Sequence, residues 1–76
     1  MSESFKKVKV ECYSGYRGDE LPRRFECEGR ELDVAYIIER WAEPAHRYFK
    51  VCGDDGEVYQ LRHDSRSGAW ELKKSE

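Results

Sequence analysis

Short stretches in which apolar and polar residues alternate recur along the chain and predict β-strands. Val8, Val10 and Cys12 alternate with Lys9 and Glu11, which places the three apolar residues on one face of a first strand. Successive side chains in a strand point to opposite faces, so this pattern is typical of a sheet with one buried face.

A first hairpin is predicted around Gly29-Arg30, because glycine in the first position suits a two-residue type II′ turn. This register keeps the apolar residues on one face and the acidic residues on the other, whereas a slip of one residue would mix them. The predicted facing pairs are Glu28 with Glu31, Cys27 with Leu32, Glu26 with Asp33, Phe25 with Val34, and Arg23 with Tyr36.

A second hairpin is predicted around Asp54-Asp55-Gly56, a three-residue loop in which Gly56 supplies the left-handed conformation. Trp70 and Leu72, which alternate with charged residues, form a last short strand. The facing pairs of the second hairpin are Val51 with Tyr59, Phe49 with Leu61, Lys50 with Gln60, and Tyr48 with Arg62.

The segment 33–44 fits two structures. Val34, Ile37, Ile38 and Trp41 have helical spacing, with an aspartate before them and a proline after. The same segment is rich in β-branched and aromatic residues and continues the alternation of the first hairpin. We therefore predict a long strand that bends near Ile37-Ile38, where the alternation breaks as it would at a bulge.

These elements predict a mainly β fold, a single antiparallel barrel or strongly bent sheet of five to six strands, SH3-like or OB-like, with at most one short helix around 34–43. The predicted interior comprises Val8, Val10, Cys12, Phe25, Cys27, Leu32, Val34, Tyr36, Ile38, Phe49, Val51, Tyr59, Leu61, Trp70 and Leu72.

Length and composition allow only one small domain, residues 1–76, with frayed ends at about 1–4 and 74–76. Of the 76 residues, 39% are charged and 38% hydrophobic, and the net charge is −2. The balance of charge gives no overall attraction to nucleic acid or membrane. The chain begins without the apolar segment of a signal peptide, so we expect a cytoplasmic protein.

Catalytic and metal-binding patterns are absent from the sequence. Its three cysteines, Cys12, Cys27 and Cys52, are widely spaced and form no C-x-x-C pair, so we expect reduced thiols and no metal. His63 and Asp64 are neighbours on one strand and point to opposite faces, so adjacency does not make them a dyad. We expect no cofactor and no enzyme activity.

Several short motifs are spread over roughly residues 13 to 73. They are Pro22-Arg23-Arg24-Phe25, Gly29-Arg30, Val34, Trp41, Arg47-Tyr48-Phe49-x-Val51, Gly56-x-Val58-Tyr59-x-Leu61 and Gly68-x-Trp70-x-Leu72. Together they resemble a family of small bacterial domains of unknown function. Members of that family are sometimes encoded near, or fused to, DNA-polymerase-like proteins of the error-prone type. The resemblance implies an association with nucleic acid and carries no catalytic residue.

Arginines interleaved with aromatic residues outside the predicted interior indicate a binding surface, since this composition is typical of protein hot spots and of single-strand stacking platforms. An alternative is that Trp41 only closes one end of the barrel. Part of the surface falls in the long loop of residues 14–22. The candidate binding residues are Tyr16, Arg17, Arg23, Arg24, Trp41, Arg47 and Tyr48.

Two functions fit this surface. The first is a protein-interaction module with an unidentified protein partner, favoured by acidic stretches that repel phosphate. The second is a nucleic-acid accessory domain, which requires its positive charges to converge on one face. A monomer is favoured, and no membrane partner is expected. The predicted phosphate contacts are Lys6, Lys7, Lys9, Arg23, Arg24 and Arg47.

Overall fold

The fold is a nearly closed antiparallel β-barrel. A computed structural model describes residues 5–13 and 21–74, and these residues contain seven strands and no helix. The spatial order is β1-β7-β6-β5-β4-β3-β2. The strands are β1 (Lys6–Val8), β2 (Val10–Cys12), β3 (Pro22–Cys27), β4 (Arg30–Ala42), β5 (His46–Gly53), β6 (Val58–Asp64) and β7 (Trp70–Lys74).

The chain closes the barrel near its start. β1 pairs with β7, whereas β2 pairs with β3 at the other end of the strand order. The two strands are separated only by Lys9, whose carbonyl accepts a hydrogen bond from the N–H of Glu26 at 3.0 Å. The predicted first strand is therefore two strands, which is one reason why the described residues contain seven strands where five to six were predicted.

The interior is formed largely by the residues that the alternation selects. The buried core consists of Phe25, Leu32, Phe49, Val51, Tyr59, Leu61, Trp70 and Leu72. Partly buried residues pack against it, namely Val8, Val10, Cys12, Leu21, Cys27, Val34 and Ile37. The central part of β5, β6 and β7 alternates between buried and less buried positions, as period two requires.

Two predicted interior residues are wrong: Tyr36 is 60% exposed and Ile38 is 45% exposed. The register of β4 against β5 shifts between Val34 and Tyr36 and again between Ile37 and Glu39. Each shift adds one residue to β4, so the alternation changes phase and Ile37 takes the inward position. The predicted bend near Ile37-Ile38 is present, and segment 34–42 is strand, not helix.

The register predicted for the first hairpin is also wrong, by two residues. Cys27 faces Arg30 and Phe25 faces Leu32, so the turn residues are Glu28 and Gly29. Both have positive φ, 51° and 82°, which is the backbone of a type I′ turn. A shift of two residues leaves every side chain on its predicted face, so hydrophobic pattern alone does not distinguish the two registers.

The register predicted for the second hairpin is confirmed. Phe49 faces Leu61, Val51 faces Tyr59, Lys50 faces Gln60 and Tyr48 faces Arg62. Gly56, with φ of 85°, takes the left-handed position in the loop. Of the expected frayed ends, 1–4 and 75–76 lie outside the described residues, and Lys74 ends β7.

A carboxylate in this loop ties it to the core. Asp55 accepts hydrogen bonds from the Tyr59 hydroxyl at 2.7 Å and from the Glu57 N–H at 3.0 Å. These bonds, the backbone one first, lower the pKa of Asp55 below its ordinary value. Burial, followed by the bond to Asp55, raises the pKa of Tyr59.

Neighbouring isoleucines test the phase change in β4. We expect Ile37→Ala to lower the free energy of unfolding by at least about 1 kcal/mol, because Ile37 packs on the core. Ile38→Ala should change it by less than about 0.5 kcal/mol, since this side chain faces solvent. Urea denaturation measures both. Equal losses, or a larger loss at Ile38, would contradict the register of β4.

Stability should depend on pH through Asp55. Its pKa is lower in the folded state, so its contribution is complete above the unfolded pKa of about 3.9 and is lost as pH falls through the folded value. Asp55→Asn should therefore lower stability at pH 7, and its difference from the parent protein should shrink towards pH 2. Asp54→Asn is the control, and a constant Asp55→Asn difference between pH 7 and pH 2 would contradict the argument.

Candidate functional site

A row of side chains crosses the outer face of the barrel from β4 to β7. Trp41 faces Tyr48, Tyr48 faces Arg62, and Arg62 faces Glu71. The rings of Trp41 and Tyr48 are stacked, with centroids 5.2 Å apart and planes 3° from parallel. Directly facing residues of antiparallel strands share a face, which is why the sequence brings these side chains into contact.

Arg62 is fixed at the centre of this row. Its Nε donates to a carboxylate oxygen of Glu71 at 2.8 Å, and a second guanidinium nitrogen donates to the same oxygen. The guanidinium carbon also lies 4.1 Å from the centre of the Phe5 ring. The hydrogen bond to Glu71 raises the pKa of Arg62, so the arginine stays charged. Its positive charge is paired with the carboxylate of Glu71 on the neighbouring strand.

Two further arginines lie on the other face of the β4–β5 ladder. Arg40 faces Phe49 and Ala42 faces Arg47, so the two arginines are diagonal neighbours on one face. Together with Trp41 and Tyr48 these residues line a depression of about 280 Å³, which we name the hairpin groove. Its lining among the described residues contains two guanidinium groups and no carboxylate.

A tight turn positions the hairpin groove at the end of β4. The backbone of Glu43 and His46 exchanges two hydrogen bonds, of 2.8 and 3.2 Å, across Pro44 and Ala45. The Ala45 carbonyl also accepts hydrogen bonds from the N–H and the hydroxyl of Ser65. The tip of the hairpin is therefore held by the β6–β7 turn.

The structure brings together only part of the predicted site. Trp41, Arg47 and Tyr48 line the hairpin groove. Tyr16 and Arg17 lie outside the described residues. Arg23 and Arg24, which were expected to belong to this surface, do not line the groove.

Arg23 and Arg24 are engaged on β3. The guanidinium of Arg23 lies over the ring of Tyr13, 5.8 Å from its centre. Arg24 donates to Asp33 at 2.8 Å and lies 3.8 Å from Glu31. The bond to Asp33 raises the pKa of Arg24. Both side chains therefore belong to the β3–β4 region.

Sequence reasoning missed Tyr36 and Ile38 as surface residues of this region. Both were assigned to the interior, because the alternation was continued through the two bulges. The Ile37-Ile38 doublet indicated a bend, and a change of phase at that bend would have placed Ile38 outside. Arg40 is one of the arginines close to the exposed aromatic residues in the sequence, although the candidate binding residues do not include it.

Positively charged side chains form more than one group among the described residues. Arg24, Arg30 and Arg62 each lie within 4 Å of a carboxylate. Arg47 lines the hairpin groove, while Arg24 lines a separate groove together with Lys7, Lys9 and three glutamates. A cluster of lysines lies elsewhere, along β1 and β7, and consists of Lys6, Lys7, Lys73 and Lys74.

Within residues 5–13 and 21–74, no group of three or more metal-ligating side chains comes together. Cys12, Cys27 and Cys52 form no disulfide. The described residues also contain no helix that could span a membrane.

Comparison of the chain with protein-family models, with curated proteins and with solved structures finds no match.

The two tryptophans of the chain should respond differently to a fluorescence quencher. Trp41 is 36% exposed, whereas Trp70 is buried. We expect acrylamide to quench Trp70→Phe, which retains Trp41, more strongly than Trp41→Phe, which retains Trp70. The measurement is the slope of a Stern–Volmer plot. Equal slopes for the two folded variants would show that Trp41 only closes the end of the barrel.

Proposed function

We propose that this protein is a non-enzymatic protein-interaction module whose binding surface is the hairpin groove. The observation that carries the proposal is the stacked pair of the exposed Trp41 and the half-buried Tyr48, with Arg40 and Arg47 on the other face of the same ladder. Tryptophan, tyrosine and arginine are the residues most enriched at the centres of protein interfaces. Three of the seven residues that the sequence singles out, Trp41, Arg47 and Tyr48, line this groove.

Preorganisation supports the same function. A tryptophan that is already stacked on a tyrosine loses less rotamer freedom on binding than a tryptophan that moves freely. Tyr48 is in turn flanked by Arg62, which Glu71 holds. The aromatic pair therefore presents an apolar surface of fixed orientation, while Arg40 and Arg47 supply charge on the other face of the β4–β5 ladder.

The alternative function is a nucleic-acid accessory domain, which the family resemblance favours. The distribution of charge favours the protein partner instead, because a phosphate backbone requires aligned positive charges, whereas Arg24 and Arg62 lie beside carboxylates. The lysine cluster on β1 and β7 is the feature that favours nucleic acid, and it lies apart from Trp41.

We also propose that the barrel is SH3-like or OB-like, that the chain belongs to the small bacterial family, and that it is cytoplasmic. Each of these is consistent with a binding module. Small barrels of these types present grooves and strand edges to extended ligands.

Selection from a random peptide display library tests the function. We expect the selection to yield peptides of related sequence. When such a peptide is added to the ¹⁵N-labelled protein, the chemical-shift changes should centre on Trp41, Arg47 and Tyr48. Trp41→Ala should weaken binding of these peptides at least ten-fold, and Tyr13→Ala, which removes an exposed aromatic side chain just after β2, should not. Circular dichroism confirms that both variants fold.

A parallel titration uses mixed-sequence single-stranded and duplex oligonucleotides at low and moderate salt. We expect no shifts at the hairpin groove. Shifts there that weaken as salt rises, together with failure of the peptide selection, would overturn the protein-interaction function and leave the nucleic-acid function.

A further inference from the structure

The strand β4 has a long edge without a partner among the described residues. β3 pairs with it only from Arg30 to Asp33. Beyond that point β5 occupies the other edge, from Val34 to Ala42. A strand edge carries a row of N–H and C=O groups that another extended segment can pair with.

Only part of this edge is regular. The two register shifts lie between Val34 and Glu39, and bulges of this kind disturb pairing with a further strand. From Glu39 to Ala42 the pairing with β5 runs without interruption. These four residues, which we name the β4 edge segment, span about 13 Å and fit a short extended segment.

The two faces of the β4 edge segment differ in chemistry. Glu39 and Trp41 lie on the outer face, with Trp41 stacked on Tyr48. Arg40 lies on the other face with Arg47 as its diagonal neighbour. The described contacts of Arg40 include no ion pair and no hydrogen bond, and its side chain is exposed.

A strand placed beside this segment must match both faces. An apolar side chain on the outer face would lie near Trp41, while the carboxylate of Glu39 on that face already has Lys50 of β5 as its facing residue. On the opposite face a carboxylate would lie near Arg40 and Arg47, where two charges of opposite sign attract it. Because successive strand residues alternate between the faces, the matching sequence alternates apolar and acidic residues.

We propose that the β4 edge segment takes up one extended strand of a partner protein in which acidic and apolar residues alternate. The inference rests on the proposed function and specifies its partner. Backbone hydrogen bonds supply the alignment, and Arg40 supplies the selection for acidic residues.

Four blocked six-residue peptides test the proposal. The first alternates glutamate and valine, and the second alternates lysine and valine. The third and fourth are the first peptide with N-methyl groups on one or the other set of alternate amides. We expect the glutamate peptide to bind at least ten-fold tighter than the lysine peptide and than one of the two N-methylated peptides, because only one set of amides faces β4. Equal affinity of the lysine peptide would overturn the acidic preference, and full affinity of both N-methylated peptides would overturn strand addition.

Hydrogen exchange locates the strand. In the free protein, alternate amides of residues 39–42 should exchange quickly, and the glutamate peptide should slow them at least ten-fold. Slow exchange of all four amides in the free protein would show that the edge is already covered. A concentration-dependent dimer that protects the same amides would show that the occupant is a second copy. Either result would overturn the proposal.

Charge reversal completes the test. Arg40→Glu should weaken the glutamate peptide at least ten-fold and strengthen the lysine peptide. Lys9→Glu makes the same change in net charge at an exposed residue away from β4 and should leave both affinities within two-fold. Equal effects of the two variants would overturn the role of Arg40.

The failures of the two proposals are distinguishable. If displayed peptides bind at Trp41 but are not acidic and leave residues 39–42 unprotected, the strand proposal is overturned and the interaction function stands. If no displayed peptide binds at the hairpin groove, both are overturned.

Discussion

The whole barrel depends on one strand that pairs with two neighbours. The first four residues of β4 pair with β3 on one edge, and the remaining residues pair with β5 on the opposite edge. A strand of 13 residues that changes neighbours must also bend, and two extra residues, Ala35 and Ile38, provide the bend. Without it the sheet would stay open, and Phe25 and Leu32 would lack the opposing core residues of β5 to β7.

The same bend creates the candidate surface. Beyond the second bulge β4 continues past the core as half of the β4–β5 hairpin, with its tip anchored to Ser65. The side chains at that end of β4 are exposed, although strict alternation would place some of them in the interior. Three of the four large hydrophobic side chains exposed among the described residues lie on β4: Tyr36 between the two bulges, Ile38 in the second bulge, and Trp41 beyond it.

Much of this fold could be predicted from period-two patterning and turn residues. Gly56 and the alternation around it determine the second hairpin, because a three-residue loop allows one register that sorts both faces. The first hairpin shows the limit, since Glu28-Gly29 and Gly29-Arg30 place every side chain on the same face. Only the backbone preference of the turn separates them, and Glu28 adopts a positive φ that its side chain does not favour.

Trp41 and Tyr48 could be grouped from the sequence because both are aromatic residues left outside the predicted interior. The ion pair of Arg24 could not be predicted, because Asp33 faces Arg24 only in the true register of the first hairpin.

The closure of the barrel at Lys9 has a further consequence, for folding kinetics. β1 pairs with β7 across most of the chain length, so the two hairpins can form from local contacts while closure waits for the slow meeting of distant segments.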